Sequence, residues 1–239
     1  KSTEASDGNK RTSINDSGGN STTGNDYISL DKFTIGGVSF LNTGGVVQDL
    51  RASDIFKCLN IDGIIGANLM RQAFWKLDYT KETISLSSHI NDFALDSTYM
   101  SMPFDVKFTG TPIVDIELAE LTVKKMIFDT GSNGHFSMPL VSLKALQDTI
   151  EVKTTWELGA TSYCVGGKAL SDTIFYAVID TMHLGEISVP NNVVAFAEHS
   201  DNFGNEFFKN YDVILDWDSR QIYMREVSPY DNSVLETHG

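Results

Sequence analysis

Residues 64–86 read IIGANLMRQAFWKLDYTKETISL, and residues 202–224 read NFGNEFFKNYDVILDWDSRQIYM. The two stretches align without gaps at an offset of 138. Gly66 meets Gly204, Leu77-Asp78 meets Leu215-Asp216, Tyr79 meets Trp217 and Ile84 meets Ile222. Each copy has a glycine, a short amphipathic helix, and then two strands turning through Asp-aromatic-polar-polar. A second block aligns at an offset of 149: Ile35-Gly36 with Leu184-Gly185, Val38 with Ile187, Phe40 with Val189, and Asn42 with Asn191. Gly18 then meets Gly167, and Asp31 meets Asp180. The difference of the two offsets gives the first copy about 11 extra residues near positions 43–60. Two blocks in one order, with matched glycines and strand breaks, indicate duplication and pseudo-twofold symmetry.

Outward from the repeat, the chain runs in short β-branched and aromatic stretches punctuated by Gly, Asn and Asp. Strands are expected over 27–30, 33–35, 38–41, 75–79, 83–86, 113–118, 124–128, 173–179, 193–197, 213–217 and 221–224. Helical periodicity is confined to 139–150, with Leu140, Leu143, Leu146 and Ile150 on one face and Ser137 as N-cap, and to short stretches at 67–74 and 205–210. Residues 1–26, rich in Ser, Thr, Gly, Asn and Asp, read as loop or disorder when taken alone. The expectation is a mainly-β protein of two repeats, a first lobe over 1–98 and a second over 99–239.

The residues with chemistry lie in the second lobe. Met126-Ile127-Phe128 is an apolar run that leads into Asp129-Thr130-Gly131-Ser132, with a helix pattern following. Together with Ile64-Ile65-Gly66 and the weaker Phe203-Gly204, this resembles the pepsin/retropepsin-like aspartic proteases in their bacterial two-repeat, single-chain form. The resemblance covers nearly the whole chain. It implies β-barrel lobes of the acid-protease type, with peptide substrate across a cleft under flaps. It also implies that the apolar-apolar-Gly strands Ile64-Ile65-Gly66 and Asn202-Phe203-Gly204 cross behind the Asp loops and brace them. Glycine suits such a close backbone approach.

The chemistry explains the residue types. Two carboxylates that share one proton can activate water and polarise the scissile carbonyl, because like charges so close cannot both ionise comfortably. By the resemblance, Asp129 is one of the two and no cofactor is needed. Thr130 would hydrogen-bond to its symmetry mate, Gly131 would allow the tight turn, and Ser132 would donate to the outer carboxylate oxygen. Extended substrate would pair with flap backbone as a strand does.

The chain carries one such triplet. The repeat places the first Asp-Thr-Gly upstream of Lys1, so a partner is expected: an N-terminal fragment of the same protein supplying the second Asp. Asp16-Ser17-Gly18 is rejected as that triplet. It lies 50 residues before Gly66, against 75 from Asp129 to Gly204, and Ser13-Ile14-Asn15 before it is not apolar. It reads instead as part of a flap over about 12–28, with Gly18 and Gly19 at the tip, and Gly166 and Gly167 mark the second flap. A single retained Asp leaves the alternative of an inactive, peptide-binding protein of the same fold. A homodimer in which Asp129 meets its copy is the third reading.

Bulk properties narrow the classes. The chain has 239 residues, 41% hydrophobic and 21% charged, and a formal net charge of −14. That balance argues against nucleic acid as a partner, since a phosphate backbone wants a basic stripe. No apolar run reaches the about 18 residues of a membrane span. Cys58 and Cys164 could pair but make no disulfide framework, and they read as small buried residues. No His or Cys pair has metal-ligand spacing, so no metal is expected. His135 reads as a surface or core-edge residue and His183 as structural. Asp78 and Asp216 read as hairpin-bonding carboxylates, while Asp62 and Asp105 have no evident partner. No signal peptide is visible, and an exported bacterial protein, periplasmic or surface-attached, is the expectation.

Overall fold

A computed structural model describes residues 11–15, 21–52, 54–160, 163–164, 167–168, 171–198 and 200–229. Strand far outweighs helix among the described residues, so the protein is mainly β. The chain divides into two compact units, residues 1–72 with 160–171, and residues 73–159 with 172–239. Both differ from the expected split at residue 98.

The first unit holds the antiparallel sheet β1 (Arg11–Asn15), β2 (Ser21–Ile35) and β3 (Val38–Val47), followed by α1 (Asp54–Cys58) and α2 (Ala67–Met70). Residues 11–26 were expected to be a loop. Instead Arg11 pairs with Asp26 and Asn15 with Ser21 in a hairpin. A polar sequence tolerates this, because an antiparallel hairpin satisfies its backbone groups without needing an apolar face on both sides. The expected flap at about 12–28 coincides with this hairpin. Gly18 and Gly19 lie outside the described residues, as do Asp16 and Ser17. Phe40 and Leu69 are buried in this unit, and Asn68 Nδ2 donates to the Gly44 carbonyl at 2.7 Å.

The second unit opens with β4 (Phe74–Asp78), β5 (Thr83–Ser87), β6 (Met100–Pro103), β7 (Asp105–Val106), β8 (Pro112–Leu118), β9 (Leu121–Phe128) and β10 (Phe136–Pro139). Then come α3 (Leu140–Gln147) and β11 (Thr154–Ala160). The small hairpin β12 (Tyr163–Cys164) and β13 (Gly167–Lys168) belongs to the first unit. Gly167 therefore sits in a hairpin, paired with Cys164, and Gly166 lies outside the described residues. The second unit resumes with β14 (Ser171–Leu184), β15 (Ile187–Ala197), β16 (Asn202–Phe203), α4 (Asn205–Phe208), β17 (Tyr211–Asp216) and β18 (Gln221–Glu226).

Two sheets build this unit. One runs β5-β4-β17-β18-β6. The other runs β11-β14-β15-β10-β16-β9-β8-β7, and β14 also pairs with β8, so this sheet curls partly into a ring. Strand β8 alternates buried Val114, Ile116 and Leu118 with exposed Asp115 and Glu117, the pattern of a strand with one face on a core. Strand β17 is buried at all six positions, as befits a central strand.

The repeat is visible in backbone detail. Shifting α2, β4 and β5 by 138 gives α4, the last five residues of β17 and the first five residues of β18. Strands β4 and β17 pair with each other, Leu77 opposite Val213 and Trp75 opposite Leu215. The 138-residue exchange maps the first of these pairs onto the second and maps Lys76 opposite Ile214 onto itself. A local twofold therefore passes through that pair. In the other block, Gly36 and Gly185 both have positive φ, 54° and 60°, and so do Asn42 and Asn191, 51° and 48°. These are the residue types that tolerate the left-handed region.

Helix α3 buries Leu143 and Leu146 of its expected face, but Leu140 is half-buried, Ile150 lies exposed beyond its end, and Ser137 does not cap it. Ser137 lies in β10, opposite Asn202 and Ala195, and the helix begins after Pro139 without a side-chain cap. Sheet pairing has claimed the residue that local propensity would place at the cap.

Candidate functional site

Asp129 follows β9, and the loop 129–135 connects β9 to β10. Those two strands are not neighbours in the sheet. Strand β16 lies between them, parallel to β9 (Asn202 opposite Ile127, Phe203 opposite Phe128) and antiparallel to β10 (Phe203 opposite Phe136, Asn202 opposite Ser137). The loop therefore passes over the end of β16 and is held from below.

Backbone bonds fix it along its length. Asp129 N–H donates to the Phe203 carbonyl at 3.1 Å, and Gly204 N–H to the His135 carbonyl at 3.0 Å. Asn205 N–H donates to the Ser132 carbonyl at 2.8 Å, and Glu206 N–H to the Gly134 carbonyl at 3.3 Å. Phe203-Gly204 thus braces the Asp129 loop. A side chain at Gly204 would force the loop to shift: a Cβ there would lie 2.5 Å from the Ser132 carbonyl oxygen and 2.7 Å from its Cβ.

Beneath the loop the anchors are aromatic. Phe136 stacks on Phe203 at 5.3 Å, Phe128 stacks on Phe208 at 4.2 Å, and Phe128 meets Phe203 edge-on at 5.6 Å. Phe136, Phe203, Phe207 and Phe208 are essentially inaccessible. Such rings carry large apolar burial plus a preference for these geometries.

Within the loop, Gly131 N–H donates to Asp129 Oδ1 at 2.9 Å, and Ser132 N–H to the Asp129 carbonyl at 3.1 Å. Ser132, expected to donate to the carboxylate, has its Oγ accepting the Gly134 N–H at 3.2 Å. The Thr130 carbonyl accepts from Asn205 Nδ2 at 2.8 Å, and Asn205 Oδ1 accepts from the Tyr79 hydroxyl at 2.6 Å. Burial pushes the Tyr79 hydroxyl up to about 12. Neither Asn205 nor Tyr79 was singled out for this role in the sequence. The one available signal is that Tyr79 and Trp217 match in the repeat while Asn205 faces Ala67.

His135 is mostly buried beside the loop, with Nε2 3.7 Å from Glu206 Oε2. Burial holds the imidazole below its ordinary value, Glu206 opposes that shift, and Lys209 adds to it. Lys209 is itself ion-paired with Glu206.

The first-repeat brace is different. Ile64-Ile65-Gly66 forms no strand, and the two isoleucines are 58% and 46% exposed, whereas Phe203 is 0% exposed. Among the described residues, nothing pairs with residues 64–66 as β9 and β10 pair with β16.

Several other residues differ from expectation. Cys58 is exposed and free, not buried. Asp62 pairs with Arg51 at 2.8 Å and Asp105 with Arg220 at 3.4 Å. His183 is exposed on β14, opposite Ser188 and Glu117. Asp78 and Asp216 do bond their hairpins. Asp78 accepts the Lys81 N–H at 3.0 Å, and Asp216 accepts the N–H groups of Asp218 and Ser219 at 2.8 and 2.9 Å. Among the described residues, no group of three or more His, Cys, Asp or Glu could hold a metal ion, and no helix is long and apolar enough to cross a membrane.

No family model matches the chain, and no curated protein matches it. Among solved structures it is similar to conglutin gamma, described as a unique basic 7S globulin from lupine seeds. The TM-score is 0.41 and the identity 9%, over 91% of this chain and 73% of that one. A likeness at that score carries no argument about this chain.

Proposed function

We propose that Asp129 is one of two carboxylates that hydrolyse peptide bonds in an extended substrate, making the protein an aspartic-type endopeptidase. The observation that carries this reading is the held loop: Asp129 sits on a turn bonded at its own N–H to Phe203 and at Ser132 to Asn205. Catalysis by positioned carboxylates needs such a fixed frame, because a misplaced group loses its advantage over free solution. The resemblance of residues 126–132 and 64–66 to retropepsin-like proteases points the same way.

The mechanism needs a second carboxylate close enough to share a proton with Asp129. One member then takes a proton from water, and the other polarises the scissile carbonyl. We assign the second to another Asp-Thr-Gly segment, supplied by a partner polypeptide.

A second reading is favoured by the single Asp-Thr-Gly in the sequence: a peptide-binding protein that cuts nothing. One experiment separates the two. The product of the whole reading frame is weighed for a second fragment, then incubated with unfolded protein across acid and neutral pH. New peptide termini in the mass spectrum are the protease result. Retained but intact peptides are the binding result, and neither cleavage nor retention removes both readings.

A further inference from the structure

The peptide group between Thr130 and Gly131 is hydrogen-bonded on both sides. Its N–H, on Gly131, donates to Asp129 Oδ1 at 2.9 Å. Its carbonyl, on Thr130, accepts from Asn205 Nδ2 at 2.8 Å. The other end of that amide, Oδ1, accepts the Tyr79 hydroxyl proton at 2.6 Å. The direction of each bond is forced. A carbonyl oxygen only accepts, so the Asn205 nitrogen must face Thr130, its oxygen must face Tyr79, and the hydroxyl must donate.

We infer that Tyr79 and Asn205 are positioning residues for the reacting carboxylate, acting through a relay that runs Tyr79 hydroxyl, Asn205 amide, Thr130–Gly131 peptide, Asp129 Oδ1. The inference rests on the proposed role of Asp129 and deepens it. A donor on the carbonyl polarises the peptide and makes the N–H on its far side a better donor, so the bonds strengthen one another. The relay also fixes the rotation of the Thr130–Gly131 peptide, and with it where the Gly131 N–H points. Tyr79 follows β4, in the other sheet of the same unit, so the loop is tied to the twofold strand pair β4–β17 as well as to β16.

The repeat shows that this is not a general device of the fold. The position matching Asn205 is Ala67, which has no amide. The position matching Tyr79 is Trp217, whose indole N–H donates to the Gly110 carbonyl at 3.0 Å. A pure packing requirement would act on both copies. The relay is built on the Asp129 side.

The test reads the Gly131 amide directly and needs no activity. In the full-length protein, Tyr79→Phe removes one hydroxyl, and Asn205→Asp keeps the shape. When ionised, Asp at 205 still accepts from Tyr79 but repels the Thr130 carbonyl. When protonated, it can donate again. The expected result is an upfield shift of the Gly131 amide proton in both variants, with amide exchange about tenfold faster, one hydrogen bond's worth. The Asn205→Asp signal should return toward wild type as pH falls. Where peptide is cleaved, kcat should fall in Tyr79→Phe with KM unchanged. A Gly131 resonance and exchange rate identical to wild type in folded Tyr79→Phe overturns the relay, whatever Asn205→Asp does. A Gly131 amide that responds in a protein that cleaves nothing leaves the relay standing and removes the protease reading instead.

Discussion

Replacing Gly204 with alanine tests whether β16 is a brace or a bystander. The backbone of Gly204 is extended, φ −139° and ψ −160°, so alanine brings no torsional penalty and the effect is steric. The new Cβ would stand 2.5 Å from the Ser132 carbonyl oxygen and must retreat to about 3.4 Å, an ordinary contact. That oxygen accepts the Asn205 N–H at 2.8 Å, and a displacement of about 0.9 Å carries the bond beyond hydrogen-bonding reach. Overpacking of this kind costs about 1–3 kcal/mol and the lost backbone bond about 1 kcal/mol. The sum is about 2–4 kcal/mol, or a fall in Tm of roughly 5–15 °C for a chain of this size. Gly66→Ala is the internal control. Its Cβ meets only Asn68 Oδ1, at 3.0 Å, the far end of a side chain that can turn away. Even if the Asn68 bond to Gly44 is lost, the cost stays within about 1 kcal/mol. Urea unfolding of the two variants, with amide exchange at Asn205, gives the comparison. Gly204→Ala proving no more destabilising than Gly66→Ala would refute the brace.

Two further expectations follow from the same site. Phe203→Ala should cost about 3–5 kcal/mol, since the ring is fully buried among Phe128, Phe136 and Phe208, while Ile65→Ala should cost under about 1 kcal/mol in this chain; equal costs by urea titration would contradict the asymmetry of the two braces. His135 is held below its ordinary value by burial, so its neutral form is the one the fold favours. The stability this gives is complete above an unfolded value of about 6.5 and is lost as pH falls through that value toward the folded one. Wild type should therefore lose ground to His135→Gln between about pH 7 and pH 5, and a difference in unfolding free energy that stays flat with pH would show that His135 plays no such part.

How much of this was legible in the sequence depends on whether the determinant was periodic or positional. The repeat was legible because both copies keep Gly, Leu-Asp and an isoleucine at fixed spacing, and those residues made α2, β4 and β5 superimposable in sequence on α4, β17 and β18. The brace was legible on the Asp129 side, where Phe203 has β9 and β10 to lie between. At Ile64-Ile65 the apolar pattern pointed to a bracing strand, whereas both side chains are exposed and no strand forms there. Strand β11 was missed, and its Trp156 and Leu158 are 63% and 75% exposed. An edge strand need not hide its apolar residues, so alternation there gives no core signal. The hairpin strands Arg11–Asn15 and Ser21–Ile35 were legible through the repeat, which put a flap at about 12–28, and not through their polar composition, which alone reads as loop. Asn205 was missed because its function is a bond to Thr130, 75 residues away in sequence, and nothing local distinguishes it from any polar residue at the start of a helix.

If Asp129 does chemistry, Asp129→Asn removes it. The substitution keeps the size and the bond-accepting oxygen, so the loop should stay folded, as unchanged exchange at Asn205 would verify. Cleavage of an unfolded protein by the complete gene product is then compared with that of the variant at acid pH. The expected result is a fall in kcat/KM of at least about a thousandfold, the scale of losing a positioned acid-base group. Cleavage at an undiminished rate by the folded Asp129→Asn protein would contradict it.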